Sequence, residues 1–164
     1  MKLTTQTASQ LLAQYAALIE ELRRRGITRS SNNPVGDYTE LLCEKALSLR
    51  TADKSTKGYD ATDSRGARYQ IKGRRLTRHS DSRQLGVLRD LNSEPFDYLV
   101  GVLFTEEFRV FRACHLPISQ LPDNSKYVER TNSWRFLLRD SVWSLPGAVD
   151  LTARLTKAQV THGL

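Results

Sequence analysis

The chain has few of the residues that form disulfides or bind metals in small proteins. It contains two cysteines and three histidines in 164 residues, with no CxxC pair. Cys43 and Cys114 have no neighbouring histidines, which argues against a disulfide framework and against a zinc site. A reducing compartment is therefore expected, and we predict a cytoplasmic protein. Because His79, His115 and His162 lie in dissimilar contexts, we assign none of them a metal or catalytic role.

Long hydrophobic runs are also absent. The sequence opens without the apolar segment of a signal peptide, and no later stretch is long enough to cross a bilayer, so no membrane partner is expected. No repeat, low-complexity tract or composition break divides the chain, whose length suits one domain with its own core. We predict a single domain over residues 1–164, with an N-terminal helix (1–26), a core (37–114) and a C-terminal extension (115–164).

Acidic residues are scarce in one segment. The whole chain carries a formal charge of +7. Residues 65–83 carry +6 of it, because they contain seven basic residues and a single acid, Asp81. Clustered arginine and lysine supply most of the non-specific affinity of proteins for nucleic-acid backbones. We predict a phosphate-binding rim formed by Arg74, Arg75, Arg78 and Arg83. A solvated charged loop is the alternative interpretation.

Apolar periodicity predicts a first helix. Between residues 8 and 22, apolar side chains recur with the i, i+3, i+4, i+7 spacing of one helix face. Thr7 and Gln10 form a capping box at its start, and Gly26 ends it.

A second helix is predicted over residues 37–49. Asp37 is a natural N-cap, and Glu40 follows it with the spacing of a capping box. This structural role does not exclude a functional one, because a glutamate in the first turn can also face a neighbouring sheet.

Residues 59–72 have the pattern of a β-hairpin. A loop over Ser64–Gly66, with glycine at the left-handed position, would set Asp60 opposite Gln70. Gln70 and Lys72 point to the same face because side chains alternate along a strand. An acid, an amide oxygen and an ammonium group then share one patch of sheet, which can hold a divalent metal beside a phosphate.

The remaining pattern predicts a sheet with helical cover. The nearly continuous apolar run over residues 96–104 is typical of a central strand that is buried on both faces. The other predicted elements are a helix over 82–91, a strand over 108–114 terminated by Pro117, short strands at 127–128 and 134–138, and a helix over 150–157. This order of elements predicts an α/β fold around a mixed sheet.

Together these residues resemble a known family of nucleases. Glu40 on a helix, then Asp60, then the tripeptide Gln70-Ile71-Lys72 is similar to the motif of the PD-(D/E)XK superfamily, which includes restriction endonucleases and Holliday-junction resolvases. The resemblance covers about residues 37–114 and departs at Gln70, where a second acid is more usual. It implies a restriction-endonuclease-like α/β/α sandwich with a central mixed sheet flanked by helices.

The resemblance also implies metal-dependent hydrolysis of DNA and a role for each motif residue. Asp60 would be the principal ligand of Mg²⁺ or Mn²⁺, with the amide oxygen of Gln70 as a second ligand and Glu40 bound directly or through water. Lys72 would orient the attacking water or stabilise the transition state. In the structural alternative, Asp60 and Lys72 form a cross-strand ion pair on an exposed hairpin face.

Three functions stay open at this level. The first is a DNA endonuclease, which at this length would act as a homodimer or with a recognition partner protein, and the first helix is a candidate interface. The second is a catalytically inactive nucleic-acid-binding module in which Gln70 marks the loss of metal affinity. The third is a basic accessory subunit that docks on an acidic protein. Metal binding separates the first from the second, and salt-sensitive DNA affinity separates both from the third.

Overall fold

The protein is described by a computed structural model that covers residues 3–53 and 55–164. The α-helices of this part of the chain are α1 (Ala8–Arg24), α2 (Val35–Leu47), α3 (Leu121–Asn124) and α4 (Thr152–Thr161). Its strands are β1 (Arg50–Thr51), β2 (Ala61–Thr62), β3 (Arg68–Arg75), β4 (Tyr98–Phe104), β5 (Val110–Pro117), β6 (Ser125–Val128), β7 (Ser133–Phe136) and β8 (Val149–Asp150). The predicted α/β class with a mixed sheet is confirmed.

Six strands form the main sheet, in the order β1-β2-β3-β4-β5-β8, while β6 and β7 form a separate hairpin. The central pair β3–β4 is parallel, and the other neighbours in the main sheet are antiparallel. A parallel pair needs a long crossover connection. Residues 76–97 provide it here.

Two helices cover the first face of the sheet. Tyr69 and Ile71 of β3 point to this face, where they join a core with residues of α2 and α4 such as Leu42 and Leu155. Gly73 allows the close approach of α2, because a Cβ atom at this position would lie 2.0 Å from the Oγ1 of Thr39.

Irregular chain covers the second face. The crossover, the β6–β7 hairpin and short helical turns around residues 118–124 and 140–144 bury a separate core there. Its large side chains include Leu85, Phe96 and Phe136, each no more than 1% exposed. The predicted helical cover therefore appears as long helices on the first face and as irregular chain on the second.

The predicted helix over residues 82–91 is wrong. This segment is extended, and its only helical turn is Leu91–Ser93 at the end. The backbone N–H groups of Leu85 and Leu88 donate to carbonyls of β7, at 3.0 and 3.1 Å, so they are satisfied without a helix. The three-residue spacing of the leucines in this segment reflects their contact with the sheet and not helical periodicity.

The two N-terminal helices are present, and both limits of α2 differ from the predicted range 37–49. The predicted capping box of α1 is confirmed between Thr7 and Gln10. Helix α2 begins at Val35 and has no side-chain cap, so the predictions of Asp37 as N-cap and of Glu40 as its capping-box partner are wrong. The carboxylate of Asp37 instead accepts hydrogen bonds from the backbone N–H groups of Arg29 and Ser30, at 2.8 and 3.1 Å, and fixes the preceding loop.

The C-terminal half follows the prediction with shifted limits. Strand β4 is central and β5 ends at Pro117, as predicted, whereas the last helix runs over 152–161 because Asp150 belongs to β8. The two-residue strands β1 and β8 were not predicted. Across residues 3–53 and 55–164, no helix has both the length and the apolar character needed to cross a membrane.

Candidate functional site

Asp60 lies where β2 separates from β3. Its backbone N–H donates to the carbonyl of Tyr69 at 2.8 Å, and its side-chain Oδ2 accepts the N–H of Ile71 at 2.7 Å. The predicted hairpin is confirmed, since Ala61 pairs with Tyr69 and the loop glycine, Gly66, has a φ of 85°. The carboxylate of Asp60 is therefore held in place by the neighbouring strand.

Gln70 contacts Asp60 through its amide nitrogen. The Nε2 group donates to the Oδ2 of Asp60, so the two side chains predicted to lie opposite each other are in contact. The atom facing Asp60 is a hydrogen-bond donor and not the amide oxygen predicted to bind metal. Gln70 would have to turn its amide over, and lose this hydrogen bond, to present oxygen at the same position.

Glu40 enters the site from α2. Its carboxylate accepts a hydrogen bond from the guanidinium of Arg29, which also donates to Asp37 from Nε at 3.3 Å. A cleft of about 300 Å³ opens beside these groups and has Glu40 and Asp60 in its wall. The other residues of the wall are Arg29, Ser30, Asp37, Ala52, Asp53, Thr56 and Tyr59.

Burial and the charge of Asp60 both act on Glu40. Burial raises the pKa of the Glu40 carboxyl, and the negative charge of Asp60 raises it further, while Arg29 opposes the shift. At Asp37, burial also acts to raise the pKa, but hydrogen bonds from Arg29 and Ser30 outweigh it and leave the pKa lowered. Two interacting carboxylates that face one cleft make a site that favours a cation.

Cys43 is a buried neighbour of this site on α2. Burial raises the pKa of its thiol, and the charges of Glu40 and Asp60 add to the shift. Because the thiolate is the nucleophilic form, this cysteine is a packing residue and not a reactive one.

Lys72 approaches from the second face of the sheet. Its side chain passes Gly86 of the crossover, where a Cβ atom would lie 3.7 Å from the Cδ of Lys72. Within residues 3–53 and 55–164 no carboxylate lies within ion-pair distance of its ammonium group, so the cross-strand ion pair with Asp60 is absent there. Lys72 is not part of the cleft wall formed by Glu40 and Asp60.

The predicted basic rim is divided between the two faces of β3. Arg74 shares the second face with Lys72 and donates to Ser82 and Ser80 of the crossover, at 3.1 and 3.3 Å. Arg75 points to the first face, where its guanidinium lies 4.8 Å from the ring centre of Phe108. The alternation of side chains along a strand causes this division.

The other two arginines of the rim have acidic neighbours. Arg78 lies 3.7 Å from the carboxylate of Glu106. Arg83 pairs with Asp140 at 2.7 Å, and Arg112 pairs with the same carboxylate at 2.6 Å. Arg74 and Arg75 therefore lie on opposite faces of β3, Arg78 and Arg83 each have an acidic partner, and Arg74 is the one that shares a strand face with Lys72.

Arg29 and Asp37 are site residues that the sequence prediction missed as such. Arg29 lies in an irregular loop, and no motif marks it. The position of Asp37 was predictable, because residues three apart on a helix share a face and Asp37 and Glu40 have this spacing.

The donor set of the cleft suits a hard cation. Mg²⁺ prefers oxygen ligands and is commonly bound by one or two carboxylates together with substrate phosphates and water. In the described part of the chain no three His, Cys, Asp or Glu side chains converge as a metal site, and the two motif carboxylates that line the cleft are Glu40 and Asp60, beside Asp37 and Asp53. Comparison with protein-family models and with curated proteins gives no match to this chain.

Proposed function

We propose that this protein is a cytoplasmic Mg²⁺- or Mn²⁺-dependent nuclease that acts on DNA, on a restriction-endonuclease-like α/β/α core. The observation that carries the proposal is the position of Asp60, which lies between Glu40 on the helix and the Gln70–Lys72 strand at the edge of an open cleft. The chain order of α2, three antiparallel strands, a crossover and the parallel strand β4 supports it.

Each side chain has a separate task in this proposal. A bound divalent cation would neutralise charge on the scissile phosphate and lower the pKa of its water. Asp60 and Glu40 would hold the cation, and the hydrogen bonds from Ile71 and Gln70 keep Asp60 in place without rearrangement. Gln70 thus acts as a positioning residue through its amide nitrogen.

Lys72 would supply positive charge at the phosphate. Its ammonium group has no carboxylate partner among the described residues, so binding a phosphate would break no existing ion pair. A fixed positive charge beside a phosphate stabilises the negative charge that develops in the transition state. Arg74, on the same strand face, would hold a neighbouring backbone phosphate.

The cleft also supports a second candidate, a DNA-binding module without catalysis. Arg29 already forms ion pairs with Glu40 and Asp37. The amide of Gln70 donates a hydrogen bond to Oδ2 of Asp60. The acidic groups are thereby partly satisfied by the chain itself. Such a module would bind DNA through phosphate contacts, with an affinity that falls steeply as salt is added.

The test is DNA cleavage by the purified chain. Supercoiled plasmid, linear duplex and single-stranded DNA would each be incubated with Mg²⁺, Mn²⁺ or EDTA. We expect cleavage with a metal and none with EDTA, and we expect its loss in Asp60→Asn and Lys72→Ala. Asp123→Asn and Lys126→Ala are the matched controls, because both residues are exposed and lie outside the site.

Two results would decide against the nuclease. Cleavage that persists in EDTA or in Asp60→Asn would show that another site or a contaminant is responsible. Absence of cleavage, with salt-sensitive DNA binding unchanged in Asp60→Asn, would favour the binding module.

A further inference from the structure

Helix α1 carries an apolar stripe that the domain does not cover. Leu12, Tyr15 and Leu18 are 68%, 54% and 65% exposed, and Leu11 is also exposed. Ile19 is the one buried residue among the seventeen of this helix. Contiguous exposed apolar surface of this kind marks interaction sites in soluble proteins.

The stripe follows a single helix face. With 3.6 residues per turn, positions 8, 11, 12, 15, 18, 19 and 22 lie within an arc of about 120°. Its C-terminal end meets the domain at Ile19 and Leu22, while the rest faces outward. The centre of the stripe is close to Tyr15.

An apolar groove continues the stripe at its C-terminal end. This groove has a volume of about 820 Å³ and is lined in part by Leu22, Ile27, Phe108 and Val160. Val160 is 79% exposed. At the opposite end of the stripe, before α1 begins, the side chain of Leu3 is 58% exposed.

The distribution of charge along the helix favours one mode of pairing. Residues 3–19 contain no charged side chain. The charged residues follow at the C-terminal end, where Arg23 pairs with Glu20 and both Arg24 and Arg25 pair with Glu21. Residues 20–25 keep a net charge of +1, so a parallel pair of such helices would bring two positive ends together, whereas an antiparallel pair sets each charged end against a neutral end.

We propose that α1 pairs in antiparallel orientation with α1 of a second copy of this chain, around a twofold axis at Tyr15. Such an axis places Leu12 opposite Leu18 of the second copy. It also brings the segment before α1 of one copy, which contains Leu3, toward the groove at the C-terminal end of the other α1, which Ile27 lines. The uncharged stripe is complementary to itself, as a twofold interface requires.

The size of this surface suits a reversible dimer. A helix of seventeen residues is about 25 Å long, so two packed stripes with Leu3 in each groove bury on the order of 1,000 Å². This area is at the low end for specific interfaces, so a dissociation constant in the micromolar range is expected.

The first test is the mass of the wild-type chain in solution, by sedimentation and light scattering between about 1 and 200 μM, the range in which a micromolar constant changes the populations. We expect a dimer at the upper concentrations. We also expect Leu12→Glu to give a monomer at all of them and Ala17→Glu, on the opposite face of α1, to behave as wild type. Circular dichroism would confirm that each variant is folded, which is expected because both positions are exposed.

The second test examines the register. Leu12→Glu and Leu18→Lys chains should each be monomeric alone, and a mixture of the two should form a heterodimer, because the new charges meet across the axis. A wild-type chain that is monomeric at 200 μM, or equal loss of the dimer in Leu12→Glu and Ala17→Glu, would overturn the proposal. A mixture that stays monomeric would contradict the antiparallel register.

Discussion

The two faces of the sheet are covered by different kinds of chain. The face that carries Tyr69 and Ile71 packs against α2 and α4, whereas the face that carries Gln70 and Lys72 packs against the crossover and the β6–β7 hairpin. A helix satisfies its own backbone hydrogen bonds, so α2 and α4 are each internally rigid. The backbone of the crossover instead forms hydrogen bonds with β7, which is distant in sequence. The crossover therefore covers the sheet only when β7 is in place.

The candidate site lies where these two kinds of cover meet. Glu40 comes from the helical face, Lys72 from the irregular face, and Asp60 from the strand end between them. The contrast between the faces leads to four predictions, from the largest expected effect to the smallest.

The largest effect is expected from cavities in the two cores. Leu42 and Leu85 are 0% and 1% exposed, on the helical and irregular faces. We expect Leu42→Ala to lower the free energy of unfolding by about 4 kcal/mol and Leu85→Ala by about 2 kcal/mol, since irregular chain can collapse further into a cavity than a helix can. Chemical denaturation measures both values. Equal losses would mean that the two covers are equally rigid.

The next effect is expected from added volume. A Cβ atom at Gly73 would clash with Thr39 of α2, whereas one at Gly101 would lie 3.0 Å from side-chain carbons of Leu138 and Leu85. We expect Gly73→Ala to cost about 3 kcal/mol and Gly101→Ala about 1 kcal/mol, because leucine side chains can move aside. Adding Thr39→Ala to Gly73→Ala should recover part of the loss. If it recovers nothing, the clash with Thr39 is not the cause.

The same contrast explains which parts of the fold were predictable from the sequence. Helices α1 and α2 and strand β4 have local signals, namely apolar periodicity, a capping box and a continuous apolar run. The segment around Leu85 and Leu88 has a pattern compatible with a helix, and its true structure is set by partners about fifty residues away in β7. Such partners leave no mark on the local sequence.

The candidate site divides in a similar way. Contact between Asp60 and Gln70 follows from hairpin geometry, and the sequence predicted it. The position of Arg29 depends on how the loop before α2 folds against that helix, and the separation of Arg74 from Arg75 follows only once the limits of β3 are known. The pairing of Arg83 with Asp140 joins residues 57 positions apart.

A smaller effect is expected in DNA binding. Arg74 contacts neutral oxygens, whereas Arg83 already has a carboxylate partner. We expect Arg74→Ala to reduce the salt dependence of DNA affinity by about one phosphate contact, a change in slope near 0.9, and Arg83→Ala to change it less. Fluorescence anisotropy at several salt concentrations measures both slopes. A larger change in slope for Arg83→Ala than for Arg74→Ala would mean that Arg83 leaves Asp140 and contacts DNA.

The smallest effect is expected in the pH dependence of stability. Because burial and Asp60 raise the pKa of Glu40 above its ordinary value of 4.5, its contribution to stability is complete below that value and is lost as pH rises through the raised pKa. Arg29→Gln removes the opposing cation, so the pKa of Glu40 should rise further. The contribution of Glu40 to stability should then persist to higher pH before it is lost. Carboxyl NMR titration reads this pKa directly. An unchanged or lowered pKa in Arg29→Gln would contradict the ion pair.

Cation binding by Glu40 and Asp60 is the central claim, and titration of Mn²⁺ into the protein, followed by electron paramagnetic resonance, tests it most directly. Lys72→Ala bound to duplex DNA is the sample of choice, since it keeps both carboxylates and is expected not to cleave the duplex. We predict one bound Mn²⁺ per chain beyond the Mn²⁺ that the same duplex binds alone, and we predict the loss of this ion when Asp60→Asn is added. Equal Mn²⁺ binding with and without Asp60→Asn, or no Mn²⁺ beyond that of the duplex in either sample, would contradict the claim.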